Sequence, residues 1–158
     1  MQINDNAATS DDREIVITRV FDAPRQLVFR AWTDPNHVGQ WWGPKGFTTT
    51  THEMDVRPGG VWRFVLHGPD GVDYNNRIDY LEVLEPERLV YAHGDGSEDG
   101  PPQFHTTVTF VDRDGGTELT MRAVFASAGE RARAVKEVGA IEGGNQTLDR
   151  FGEYLRTI

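Results

Sequence analysis

The sequence contains no cysteine. That absence excludes disulfides, thiolate metal sites, cysteine nucleophiles and thiol redox chemistry in one step. No apolar run approaches the roughly 20 residues needed to span a bilayer. The start, MQINDNAATSDDRE, has neither the basic residues nor the apolar centre of a signal peptide. The expected location is therefore cytoplasmic, without membrane insertion. Positive charge is also scarce: 16 Lys and Arg stand against 25 Asp and Glu, for a net charge of −9. Such a balance argues against general binding to nucleic acid or to anionic membrane. The acids are scattered rather than gathered in a tail, and read as a solubility feature. Serine occurs only at Ser10, Ser97 and Ser127, none of them in a Gly-x-Ser-x-Gly elbow. The glycine-rich stretches GDGSEDG (94–100) and DGG (114–116) follow neither phosphate-loop nor dinucleotide spacing, and turn chemistry accounts for them.

What is present fits one domain: 158 residues, 37% hydrophobic and 26% charged. Residues 1–13 carry almost no apolar content and read as a flexible tail, leaving 14–158 as the domain. EIVITRVF (14–21) is rich in β-branched residues and predicts a strand. DAPRQLVFRAWTD (22–34) predicts a helix with Asp22 as N-cap, Pro24 in the first turn, and Leu27, Val28, Ala31 and Trp32 on one face. Asp34-Pro35 starts a second short helix that carries Val38, Trp41 and Trp42 and stops at Gly43-Pro44. About six strands follow as hairpins, with turns at RPGG (57–60), PDG (69–71), Pro86-Glu87 and Asp114-Gly115-Gly116, and a loop at 94–102. From Ser127 the chain reads as helical, with Ser127 and Glu130 spaced as a capping box. Gly143-Gly144-Asn145 is the expected interruption, and Leu148, Phe151 and Leu155 form an apolar stripe on the last helix. A run of hairpins yields an antiparallel sheet with one apolar face to cover, and the final helix is the natural cover. The fold class is α+β, and a curved sheet wrapped on one helix leaves a cavity between them.

Several segments in this order resemble a known group. ITRVFDAPRQLVFRAWTDPNHVGQWWGP (17–44), RPGGVWRF (57–64), YLEVLEPERLVY (80–91) and TVTFVDRDGGTELTMR (107–122) are similar to START-like proteins of the group named after the activator of the ninety-kilodalton heat-shock protein ATPase. The first segment is specific in combination, with Asp-Ala-Pro, Trp-Thr-Asp-Pro and Trp-Trp-Gly-Pro at family spacing. The resemblance covers about residues 14–157. It implies a helix-grip fold, in which a curved antiparallel sheet of six to seven strands grips the C-terminal helix around a hydrophobic cavity, with two short helices between strands 1 and 2. It leaves function open, since the group includes co-chaperone domains of the stress response, binders of polyketide-like or lipid-like ligands, and related cyclases and hydrolases. Where such proteins often carry Gly-Trp near the start of the last helix, this chain has Gly143-Gly144-Asn145, so a looser or larger space beside that helix is expected.

The five histidines, His37, His52, His67, His93 and His105, include no helical pair at i, i+3 or i+4, so no metal site is expected. No cofactor is expected either. Acid–base work would fall to Arg77, Asp79, Glu82, His93 or His105 if strand parity turned them inward; otherwise each is a solvated outer-face residue. His37 reads as a surface residue of the short helices. The alternating rows Trp62/Phe64, Tyr74/Asn76/Ile78/Tyr80, Phe104/Thr106/Val108/Phe110 and Leu119/Met121/Ala123/Phe125 would line a mainly apolar space with a few polar tips. Of the clustered tryptophans, Trp32 is expected in the core, and of Trp41 and Trp42 the second is assigned to the cavity. The leading expectation is a small hydrophobic or amphipathic ligand, held by Trp42, Trp62, Phe64, Tyr74, Asn76, Phe104 and Leu148 without covalent chemistry and with no catalytic residue. A chaperone-docking module and a cyclase, dehydratase or hydrolase are the rival expectations. The expected assembly is a monomer or weak homodimer.

Overall fold

A computed structural model describes residues 12–97 and 101–158. Residues 1–11 of the expected tail and 98–100 of the expected loop lie outside the described residues. The strands are β1 (Glu14–Phe21), β2 (Thr48–Met54), β3 (Val61–His67), β4 (Asp73–Leu84), β5 (Arg88–Gly94), β6 (Phe104–Arg113) and β7 (Gly116–Phe125). They form one antiparallel sheet in the order β1-β7-β6-β5-β4-β3-β2. Each strand from β2 to β7 pairs with its neighbour in sequence, and β1 alone joins out of order, beside β7. Because β1 and β2 occupy opposite edges, the two short helices α1 (Arg25–Thr33) and α2 (Pro35–Val38) must carry the chain across the sheet's width. After β7 come α3 (Ala128–Arg133), a π-helical turn (Ala134–Val138) and the 16-residue α4 (Ala140–Leu155), about 24 Å long. This is the expected helix-grip α+β architecture. No described helix is long and apolar enough to cross a membrane.

Local chemistry explains most of these boundaries and corrects some expectations. Asp22 does not cap α1: the chain runs extended through Pro24 (φ −66°, ψ 150°), and the Pro24 carbonyl accepts the Leu27 and Val28 N–H groups at 3.0 and 3.1 Å. The helix therefore starts too late for the Asp22 carboxylate to reach its first turn. Asp34 does cap α2, its carboxylate accepting from the Asn36 N–H at 2.8 Å. That helix ends at Val38, so Trp41 and Trp42 lie beyond it rather than on its surface. Ser127 Oγ accepts from the Glu130 N–H at 3.1 Å, as the capping spacing predicts.

The break before α4 is not at Gly143-Gly144-Asn145 but at Gly139, whose φ of +69° is a left-handed conformation that glycine adopts without a Cβ clash. Gly143 and Gly144 stay helical and serve packing instead. A Cβ on Gly144 would sit 2.8 Å from Ile17 Cδ1, so α4 approaches β1 more closely than any larger residue would permit. The looser space expected beside this helix lies next to that contact, where Gly143 and Gly144 border a cavity.

The stripe Leu148, Phe151 and Leu155 is buried against the sheet as expected. Burying each such side chain stabilises by about 1.5–3 kcal/mol. Register shifts between Thr51 and Glu53 and between Tyr80 and Glu82 reset strand parity part-way along β2 and β4.

Candidate functional site

One end of the grip is filled with aromatic rings. Phe151 of α4 lies 4.3 Å from Trp41, 5.3 Å from Trp32 and 5.1 Å from Phe21, centroid to centroid. Trp41 is fully buried and its indole N–H donates to the Ala31 carbonyl at 3.0 Å. Trp42 packs edge-on against Trp62 at 4.9 Å and reaches Phe64 at 6.0 Å. Ring pairs at these separations add about 0.5–1.5 kcal/mol beyond their buried area.

The other end is hollow. A cavity of about 460 Å³ lies between the sheet and the segment that runs from α3 into the first half of α4. Its sheet wall comprises Ile15 and Ile17 of β1 with Met121, Ala123 and Phe125 of β7. Trp32 and Trp42 close it toward the packed end, and Gly43, Pro44 and Leu66 lie alongside. Its roof is the chain from Ala134 to Ala140, then Gly143, Gly144 and Thr147. Glu130, Arg133, Glu137 and Val138 also line it and are exposed, so they mark its solvent-facing rim. Neither α3 nor the π-helical turn has a buried residue, so few contacts hold the roof down. An apolar cavity of about 150 Å³ holds one benzene; by that scale this one holds on the order of 15–20 heavy atoms.

Three polar side chains of the sheet face this apolar space, Tyr91 and His93 of β5 and Thr106 of β6, with the exposed Gln103 at its edge. Tyr91 pairs with Thr106 and His93 with Phe104 across the two strands, so they form one patch on the sheet's inner face. The His93 ring sits 4.8 Å from Phe104 and 6.1 Å from Phe64, and Nε2 is 2.8 Å from the Asn76 Oδ1. Desolvation by these neighbours lowers the imidazole from 6.5 to about 4, which keeps it neutral at pH 7. Burial likewise pushes the Tyr91 hydroxyl well above its usual range, against a weaker opposing effect of its hydrogen bond with Thr106.

The residues singled out in the sequence divide accordingly. Trp42 and Phe104 line the cavity. Trp62 and Phe64 are buried behind Trp42 and stack on each other at 4.0 Å; Trp62 is held by its N–H donating to Thr51 Oγ1 at 3.1 Å. Leu148 is fully buried where α4 passes into the packed end. Asn76 lies behind His93, and Tyr74, near the start of β4, is 45% exposed and outside the cavity. None of these five lines the cavity, because inward parity leads to the packed end as readily as to the hollow one.

Of the acid–base candidates only His93 reaches the space. Arg77 pairs with Asp79 at 3.0 Å, Glu82 with Arg88 at 2.8 Å, and His105 is exposed. Among the described residues there is no group of three or more His, Asp or Glu placed to hold a metal ion.

Sequence reasoning passed over the residues that fasten α4 to its surroundings. Arg150 Nη1 lies 2.9–3.0 Å from the Gly43, Pro44 and Phe47 carbonyls, pinning the Gly-Pro-Lys-Gly turn beside the cavity. Desolvation lowers its proton affinity there. Arg19 of β1 reaches Asp149 and Asn145 at 2.7 and 3.0 Å. His37 is half-buried rather than a free surface residue, with Nδ1 2.6 Å from the Tyr154 hydroxyl. An arginine placed i+2 from a buried leucine gives no periodic signal that it will clamp a loop.

The model of a family described as activator of Hsp90 ATPase homolog 1-like protein matches residues 22–156. No curated protein matches the chain. Among solved structures, protein Ms6760 from Mycobacterium smegmatis is 29% identical, with 96% of each chain covered and a TM-score of 0.86. Protein NE0264 from Nitrosomonas europaea is 25% identical over 94% of this chain and 97% of its own, with a TM-score of 0.84. A protein from Arthrobacter aurescens, solved in solution, shares the fold at a TM-score of 0.85 with 24% identity, covering 97% of this chain and 92% of its own.

Proposed function

The chain belongs to the family of activator of Hsp90 ATPase homolog 1-like proteins, and within it we propose that this protein binds a small, mainly apolar molecule in the cavity beneath the start of α4, without covalent chemistry. The observation that carries this reading is the 460 Å³ space itself, walled by Ile15, Ile17, Met121, Ala123 and Phe125 and carrying a small polar patch on β5 and β6. Sites for small molecules are built this way, with apolar walls for affinity and a few polar groups for orientation. Burial of ligand surface supplies about 25 cal/mol per Å² before the entropy of association is subtracted.

The polar groups favour binding over catalysis. His93 is kept neutral at pH 7, and its ring partners are Phe64, Phe104 and the uncharged Asn76. A general base poised for proton transfer near neutrality needs a higher proton affinity than that. Native mass spectrometry of protein purified from its own host tests the reading. The expected result is a co-purifying small molecule whose removal lowers the melting temperature and whose return restores it. Repeated preparations that carry no adduct, together with a melting temperature unmoved by any apolar probe, would sink it.

A further inference from the structure

We infer that the ligand is an uncharged, mainly apolar molecule carrying a hydroxyl, and that this hydroxyl donates to Nδ1 of His93. The inference rests on the ligand-cavity reading and narrows it to a chemical class.

The hydrogen-bond chain behind His93 decides the tautomer. Asn76 Nδ2 donates to the Tyr74 carbonyl at 3.1 Å, which fixes the amide with its Oδ1 toward the histidine. That oxygen can only accept, so His93 Nε2, 2.8 Å away, carries the proton. In a neutral imidazole the other nitrogen must then be a bare acceptor. Nδ1 has no hydrogen-bond partner among the described residues, and the side chain it belongs to lines the cavity. A ligand that fills the space with hydrocarbon alone would leave this acceptor desolvated and unpaired, which is unfavourable. A ligand donor relieves that loss, and an ether or ketone oxygen does not.

Charge is selected against by the same residues. The charged side chains that line the cavity are Glu130, Arg133 and Glu137, all exposed at the rim. Arg133 is already paired with Glu130, and the two acids outnumber it. A carboxylate carried to the depth of His93 would meet a bare acceptor and aromatic rings, with no cation in reach. A hydroxyl meets a partner there and brings no charge to bury.

Four probes of one shape separate the possibilities: biphenyl, para-phenylphenol, para-methoxybiphenyl and biphenyl-para-carboxylate, titrated against the full chain by tryptophan fluorescence and calorimetry. The phenol is expected to bind about tenfold tighter than the methyl ether, the worth of one buried hydrogen bond, and the carboxylate weakest of the four. In His93→Phe the phenol should lose its advantage over the methyl ether, whatever the change in affinity for biphenyl; His93→Gln, which keeps an acceptor, should retain part of that advantage. The nitrogen NMR shift of His93 Nδ1 in the unaltered protein gives a second readout that needs no variant to fold, and should move with the phenol but not with the ether. Equal binding of phenol and ether, tighter binding of the carboxylate, or a preference that survives His93→Phe overturns the inference and leaves the cavity reading standing. Failure of all four probes to bind removes the cavity reading itself.

Discussion

The two halves of α4 meet the same sheet in opposite ways. From Leu148 to Leu155 the helix presents Leu148, Phe151 and Leu155, all buried, toward a cluster in which Phe151 meets Phe21, Trp32 and Trp41. From Ala140 to Thr147 it presents glycines and small residues, has no buried side chain, and roofs a cavity. One element thus anchors the fold at one end and leaves room for a guest at the other. The stability surplus of a domain is only about 5–15 kcal/mol, so a hollow end is tolerable only where the packed end is strong. Arg150 and Arg19 lie at this division and hold the helix to the turn at 43–47 and to β1, so that the hollow half keeps its place without a core beneath it.

If this division is real, equal truncations must have unequal effects. Phe151→Ala opens a void in a packed cluster and should cost about 3–5 kcal/mol, read as a fall in the midpoint of urea denaturation. Phe104→Ala enlarges a space that already exists and removes a half-buried ring whose aromatic neighbours are His93 and Phe125. It should cost less than half as much. Similar losses at both sites would mean that the hollow end is packed as tightly as the other in solution.

Much of the packed end could be read in advance. The 3.6-residue stripe on α4, the capping spacing at Ser127 and the alternation along β3, β6 and β7 are local patterns, and local patterns survive into the fold. What decided the site was not local. Trp62 and Phe64 alternate inward as faithfully as Phe104, yet the first two meet Trp42 and the third meets empty space. Which inward row is covered depends on where the helix breaks, and the break came at Gly139, a lone glycine, instead of the conspicuous Gly143-Gly144 pair. His93 was one of five acid–base candidates; it pairs with Ile78 and Phe104 on the inner face, whereas Arg77, Asp79 and His105 alternate with that row and Glu82 lies beyond the β4 register shift.

Acid should strain the two ends differently. His93 is half-buried in the patch beside the buried Tyr91, and desolvation depresses its proton affinity from 6.5 to about 4. Asn76 of β4, Phe64 of β3 and Phe104 of β6, which face it, are uncharged. Between those pH values the unfolded chain binds a proton that the folded chain does not. Stability therefore falls as pH drops from about 6.5 toward 4 and the contribution levels off below that. At about 1.4 kcal/mol per tenfold change in proton affinity the full effect is at most about 3.5 kcal/mol. Denaturation midpoints measured across this range should show the slope in the unaltered protein and a flatter one in His93→Phe. An unchanged slope in the variant would assign the acid sensitivity elsewhere. A bound apolar guest completes the desolvation of His93 and should carry the fall in stability to lower pH.

The smallest effect tests the boundary between the two regimes at two adjacent positions. Gly143 and Gly144 both lie inside α4, where alanine is favoured over glycine by about 1 kcal/mol. At Gly143 an added Cβ would meet Pro44 Cγ at 3.5 Å, an ordinary contact, so Gly143→Ala should stabilise by about 0.5–1 kcal/mol. At Gly144 the Cβ would lie 2.8 Å from Ile17 Cδ1, and Ile17 must yield. Its side chain borders the cavity and has somewhere to go, so the clash should cancel the helix gain rather than unfold the protein. Thermal melts should then place Gly143→Ala above the unaltered protein and Gly144→Ala at or below it, with the second also losing probe affinity as Ile17 moves into the space. Equal stabilisation by both would show that α4 does not press on β1 at Gly144, and that the roof rides higher over the sheet than the close approach implies.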